Sequence, residues 1–143
     1  LIVYFDTSAI VPLVIDEPSS TVASRLWDEA DRVVSSRLVY AEGRAALAMA
    51  RRLDRIDESG LREAVDDFES LNDQLDVIEV TERLIREAGG LAEQLCLRGY
   101  DAVHLASARL VDDAEMVLAA GDQSLLVAAR AIGLATADLT RQS

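Results

Sequence analysis

The sequence predicts a three-layer α/β/α fold built around a central parallel sheet of four to five strands. Short apolar runs, among them Ile2–Phe5 and Met116–Ala120, alternate along the chain with longer stretches of helical periodicity. No hairpin turn signal joins one run to the next, so the connections read as right-handed crossovers that coat the sheet with helices. The first run is apolar at every position, the pattern of a strand buried on both faces.

Taken in order, Ile2–Phe5 forms the first strand and ends in Asp6-Thr7-Ser8. Residues 9–15 are predicted as a short helix, with Pro12 tolerated near its first turn. A turn over 16–20 contains Pro18, and an amphipathic helix over 20–30 carries Val22, Leu26 and Trp27, a stripe expected to face the core. Arg32–Ser36 is a second strand, followed by a long helix over 38–55 and another over 61–71. A third strand is expected at 76–80, then a helix over 81–97 with a soft spot at Gly89-Gly90. Gly99 ends that element, and 101–111 is a further helix. A fourth strand at 115–120, a helix over 123–132 and a last strand at 134–137 complete the pattern. With no repeat, linker or low-complexity tract, residues 1–143 read as one domain, as a chain of 143 residues allows.

Half of the residues are hydrophobic but only 4% are aromatic, so the core is expected to be mainly Ala, Leu, Val and Ile, in a globular composition. No apolar stretch approaches the roughly 18 residues of a membrane span. Asp6 interrupts the first apolar run and no basic segment precedes it, so no signal peptide and no membrane partner are expected. The one cysteine, Cys96, is expected to be a small buried hydrophobe in a reducing cytoplasm.

The net charge of −12 opposes binding to nucleic acid through phosphate contacts alone. All 14 basic residues are Arg, the better bidentate phosphate ligand, although a GC-rich genome explains that bias equally well. The absence of lysine removes Walker-type nucleotide binding, Schiff-base chemistry and the receiver-domain phospho-aspartate switch in their usual forms.

Four carboxylates stand out by position. Asp6 directly follows the first strand, and ligands of open α/β sheets gather beyond the carboxyl ends of strands. Asp122 repeats the arrangement after Met116–Ala120, with Gly121 permitting a tight turn. Asp101 opens the segment Asp-Ala-Val-His-Leu-Ala. Each aspartate also suits a helix N-cap. Glu42 falls on the stripe Leu38, Glu42, Ala45/Ala46, Met49 and Leu53, expected to face the core. An ionised carboxylate there needs a cation, a hydrogen-bond cage or a raised pKa. His104, alone on an apolar helix, reads as a buried, hydrogen-bonded packing residue. Four acids sharing one place repel one another, and a divalent cation removes that penalty. Oxygen ligands without a Cys/His set favour Mg²⁺ or Mn²⁺ over zinc, which suits phosphodiester hydrolysis.

The combination of Asp6-Thr7-Ser8, a helix-borne Glu42, Asp101-Ala-Val-His-Leu-Ala and Gly121-Asp122-x-x-Leu125 resembles the PIN domain. Within that family it is most similar to the small toxin ribonucleases of VapBC-type toxin–antitoxin pairs. The resemblance runs end to end in element order. It implies a PIN-like fold and a Mg²⁺- or Mn²⁺-dependent endoribonuclease leaving 5′-phosphate and 3′-hydroxyl ends. It also implies a homodimer, a possible larger toxin–antitoxin hetero-oligomer, and a VapB-like antitoxin whose C-terminal segment lies in a groove beside the acidic site. By position, Asp6, Asp101 and Asp122 would be metal ligands and Glu42 would act through water or a second ion. Ser8 matches the family's small polar residue two places after the first Asp. Many relatives carry Thr or Ser two places before the last Asp, where this chain has Ala120.

Arg37, Arg44, Arg51 and Arg55 are expected along one face of the long helix, away from Glu42. They read either as a solvated, acid-paired face or as a phosphate track for RNA. Two further readings of the chain are a catalytically silent PIN-like module and a phosphohydrolase with Asp6 as nucleophile. The latter lacks the second Asp that such enzymes place two residues on.

Overall fold

The computed structural model describes residues 1–111 and 113–141. Alternation along β1 (Ile2–Phe5) sets its layering. Val3 and Phe5 belong to the core on one face of the sheet and Tyr4 to the core on the other, and all three are fully buried. β2 (Arg32–Ser36), β3 (Asp76–Ile78), β4 (Met116–Ala120) and β5 (Ala135–Asp138) complete a five-stranded sheet of order β3-β2-β1-β4-β5. Every pairing is parallel, with Tyr4 opposite Val34 on one side and Leu118 on the other.

One core holds Phe5, Ile10, Leu47 and Phe68, from β1 and the helices α1 (Thr7–Ile10), α3 (Val39–Arg52) and α4 (Glu58–Gln74), with Ala23 of α2 (Ser20–Glu29). The other holds Tyr4, Leu84, Leu105, Leu118 and Leu125, bringing in α5 (Glu82–Leu95), α6 (Gly99–Arg109) and α7 (Gln123–Ala131). Burying each such large side chain stabilises the fold by roughly 1.5–3 kcal/mol. The chain leaves β1 outward through β2 and β3, then returns to β4 on the other side of β1. Strand order therefore reverses beside β1, the place where a doubly wound sheet opens a crevice at its carboxyl edge. Among the described residues no helix is long and apolar enough to cross a membrane.

The predicted fold class holds, while several local expectations are corrected. α1 is only four residues long and passes into a 3₁₀ turn at Val11–Leu13, where Pro12 occupies an early position that needs no N–H. α4 begins at Glu58, earlier than expected, because the Asp57 side chain caps it by accepting from the Gly60 amide at 2.7 Å. Gly89 and Gly90 lie inside an unbroken α5. In α6 every residue from 102 to 108 is buried, so a helix enclosed all round leaves no amphipathic stripe to read.

Cys96 is not a buried hydrophobe. It is exposed and ends α5 in the left-handed conformation, φ 55°. A residue with a Cβ is strained there, whereas glycine is not. Cys96→Gly is expected to stabilise the protein by about 0.5–1 kcal/mol, read as a higher urea midpoint at unchanged slope.

Candidate active site

Three aspartates stand where helices begin at the carboxyl edge of the sheet. Asp6 caps α1, Asp122 caps α7, and Asp101 lies in the first turn of α6, two residues inside the helix and not at its cap. Each position lets helix N–H groups and the helix dipole support a negative charge. Asp6 is buried, and its Oδ2 accepts from the Ser8 amide at 3.2 Å and the Ser8 hydroxyl at 2.5 Å. Asp122 Oδ1 accepts from the Leu125 amide at 3.2 Å. One oxygen of each capping aspartate is thus engaged with its own helix. The others, Oδ1 of Asp6 and Oδ2 of Asp122, approach His104 at 3.6 Å and Arg98 at 3.6 Å.

Ser8 binds the two strand ends together. Its hydroxyl donates to Asp6 and accepts from the Gly121 amide at 2.8 Å. Gly121 itself is not in a left-handed conformation, and a Cβ there would meet Ser8 only at an ordinary 3.8 Å. The chain does bend at Gly121, but neither its φ nor its surroundings require a glycine there. Ser8→Ala leaves the Gly121 amide without this acceptor and is expected to cost about 1–3 kcal/mol, read as a lower midpoint in urea unfolding.

Glu42 reaches the same edge from α3, but not from a core-facing stripe. Met49 and Leu53 are 47% and 62% exposed, and α3 buries Val39, Gly43, Leu47 and Ala50, one position further round. The run of small apolar residues at 45–50 satisfies both stripes, so periodicity alone cannot choose between them. Glu42 sits at the border, half-buried. Its Oε1 accepts from the Thr7 hydroxyl at 2.9 Å and lies 2.5 Å from Nε2 of His104. His104 is fully buried, as expected of a hydrogen-bonded packing histidine. It nevertheless spans the site, with Nδ1 at 2.8 Å from the Tyr4 hydroxyl.

Charge is balanced unevenly across this edge. Burial raises the Asp101 pKa, and the negative charges of Asp122 and Asp6 add to it, against the pull of Arg98. Burial alone would raise Glu42, but the hydrogen bonds from His104 and Thr7 prevail and its pKa is lowered. His104 is the converse case, because burial lowers it but Glu42, Asp6 and Asp101 together raise it. The Glu42–His104 contact thus favours the charged form of each partner, while Asp101 carries a repulsion that Arg98 only partly offsets.

Among the described residues, no three Asp, Glu, His or Cys side chains stand together as a ready-made metal ligand set. The donor chemistry nonetheless suits a hard divalent cation. All the converging acids offer oxygen, and Asp101 is placed within electrostatic reach of both Asp6 and Asp122.

The four arginines of the expected track each have an acidic partner: Arg37 with Glu79, Arg44 with Glu69, Arg51 with Asp54 and Glu58, and Arg55 with Glu17. Arg37 and Arg55 lie outside α3, so the four do not share one helix face. Sequence reasoning passed over Thr7 and Arg98. A signal for Arg98 existed, since a basic residue three places before Asp101 at a helix start runs against the dipole and needs a local acid to hold it. Trp27 is partly buried against the core and packs on Phe5, with ring centroids 5.3 Å apart.

A sequence profile for the family described as PIN domain matches residues 3–131. The chain belongs to the PIN-domain family. Its relatives include Ribonuclease VapC49 of Mycobacterium tuberculosis (strain ATCC 25618 / H37Rv), 46% identical over 132 residues that cover 92% of each chain. That identity and coverage make this PIN-domain protein a homologue of the VapC ribonuclease toxins. Solved structures repeat the PIN fold at low identity. PAE2754 from Pyrobaculum aerophilum superposes with a TM-score of 0.71 at 19% identity, covering 95% of this chain and 89% of that one. A toxin–antitoxin complex from Klebsiella pneumoniae gives 0.60 at 17% identity, covering 84% and 86%.

Proposed function

We propose that this PIN-domain chain is a divalent-cation-dependent endoribonuclease, the toxin of a type II toxin–antitoxin pair acting in the cytoplasm. It hydrolyses RNA phosphodiester bonds to leave 5′-phosphate and 3′-hydroxyl ends. The observation that carries the reading is the placement of Asp6, Asp101 and Asp122 at helix starts on the carboxyl edge of the sheet, with Arg98 within 3.2 and 3.6 Å of Asp101 and Asp122. Those three aspartates would hold Mg²⁺ or Mn²⁺. Such an ion supplies a water of lowered pKa and stabilises charge on the leaving oxygen.

The chain's own side chains do the rest. Ser8 fixes the orientation of Asp6. Thr7 and His104 both engage Oε1 of Glu42, so Oε2 is the atom offered to a water on the substrate side. Tyr4 in turn fixes the His104 ring. A cavity of about 700 Å³ adjoins the acids, with Glu42, Arg98 and Asp101 among its lining and Ile85, Ala88 and Tyr100 on its apolar wall. This supports a groove for an antitoxin segment beside the site, and the toxin–antitoxin neighbour points the same way. A homodimer and a larger hetero-oligomer belong to the same reading.

The test is cleavage of RNA by the wild type and by Asp6→Asn and Asp101→Asn proteins, with and without chelator. Normal cleavage by both variants would sink it. The second reading, a catalytically silent PIN-like module, draws on the lack of a preformed ligand set among the described residues. Calorimetric titration with Mn²⁺ separates the two, because a silent module gives no binding that depends on Asp6.

A further inference from the structure

Two nitrogen-bearing side chains touch the acids, His104 and Arg98, and they are held in opposite ways. His104 is 1% exposed and locked by Tyr4 and Glu42. Arg98 is the N-cap of α6, makes no capping bond with its side chain, and is 83% exposed at the side chain. Its guanidinium is held only from its tip. Nε donates to Oδ2 of Asp101 at 3.2 Å, and Nη2 lies 3.6 Å from Oδ2 of Asp122. On Asp122 this is the oxygen that the helix cap leaves over. A guanidinium and a divalent cation cannot occupy the same lone pairs together.

The position at a helix start also opposes a positive charge, so the two carboxylates are what keeps Arg98 there. Arg98 lines the 700 Å³ cavity, which gives the guanidinium space to swing aside. Exposed ion pairs of this kind break at little cost.

We propose that Arg98 is a displaceable counter-ion of the acidic site, competing with a divalent cation for Oδ2 of Asp101 and Asp122 and so setting the cation concentration at which the site fills. The proposal rests on the reading of these aspartates as cation ligands. Arg98 is thereby a positioning residue, acting through the two carboxylates.

Calorimetric titration of the whole protein with Mn²⁺ tests it, using wild type, Arg98→Gln and Arg98→Lys. Removing the competing charge is expected to tighten Mn²⁺ binding by about three- to fivefold in Arg98→Gln. Arg98→Lys, which keeps the charge, should stay within about twofold of wild type if charge is what competes. Equal or weaker binding by Arg98→Gln, with wild type binding normally, overturns the counter-ion role and leaves the metal reading intact. Absence of Mn²⁺ binding in all three proteins overturns both. Tightening in Arg98→Lys equal to that in Arg98→Gln also counts against the proposal, since charge would then not be the cause.

Discussion

Asp101→Asn is expected to lower the rate of RNA cleavage by roughly 10³-fold while leaving the protein as stable as wild type or more so. The first effect follows from removing one of three anionic oxygen donors in a site that concentrates negative charge. The second follows from the sign of the pKa shift. The folded state raises the Asp101 pKa, through burial first and then through Asp122 and Asp6. A carboxyl with a raised folded pKa favours the folded state below its unfolded pKa, and that benefit is lost as pH rises through the folded value. At neutral pH the ionised Asp101 is therefore a liability that asparagine removes. Gel-resolved cleavage of a defined RNA, paired with thermal unfolding at pH 7, gives both numbers. Retained cleavage, or a collapse of the melting temperature, would each contradict the expectation.

Phe68→Ala is expected to cost about 3–5 kcal/mol of folding stability. Phe68 is 1% exposed, and its ring lies where a side chain of Gly43 would begin. A Cβ built on Gly43 falls 2.3 Å from Cζ of Phe68, far inside contact distance. The absence of a side chain at 43 is thus what lets α4 lie against α3 at this point. Gly43→Ala should itself cost about 1–3 kcal/mol by overpacking. Removing the ring relieves that clash, so Gly43→Ala combined with Phe68→Ala is expected to be less destabilised than the sum of the two single changes by about 0.5–3 kcal/mol. Urea unfolding of the four proteins closes the cycle. Because Gly43 is the neighbour of Glu42, crowding at 43 should also shift Glu42 away from Thr7 and His104.

Fold class was legible because it rests on which residues are apolar and in what rhythm. Ile2–Phe5 and Met116–Ala120 declare themselves as buried strands, and the helices between them leave only crossovers. Strand order is a different matter. Nothing in the run Ile2–Phe5 says that its neighbours are Arg32–Ser36 and Met116–Ala120, because periodicity records which face a residue uses and not which strand lies alongside. The acids at 6, 101 and 122 drew notice by standing after strands or at helix starts. Their electrostatic coupling is a consequence of strand order, and so became visible only in three dimensions. Glu42 was placed on the wrong stripe because α3 is rich in small apolar residues on two adjoining faces. The contacts of Thr7 and His104, and that of Arg98 with Asp122, stayed hidden for the same reason as strand order: each joins side chains from different elements.

The Ser8–Gly121 hydrogen bond spans 113 positions of sequence, and the pairing of the first strand with the fourth has a similar reach. Closing so long a loop is slow, and β4 leaves the ribosome well after β1 during vectorial synthesis. A nascent chain that stops before Gly121 carries Asp6 and Asp101 but lacks Asp122 and the amide from which Ser8 accepts. Any chemistry that needs Asp6 together with Asp122 therefore waits until β4 and the turn after it have emerged.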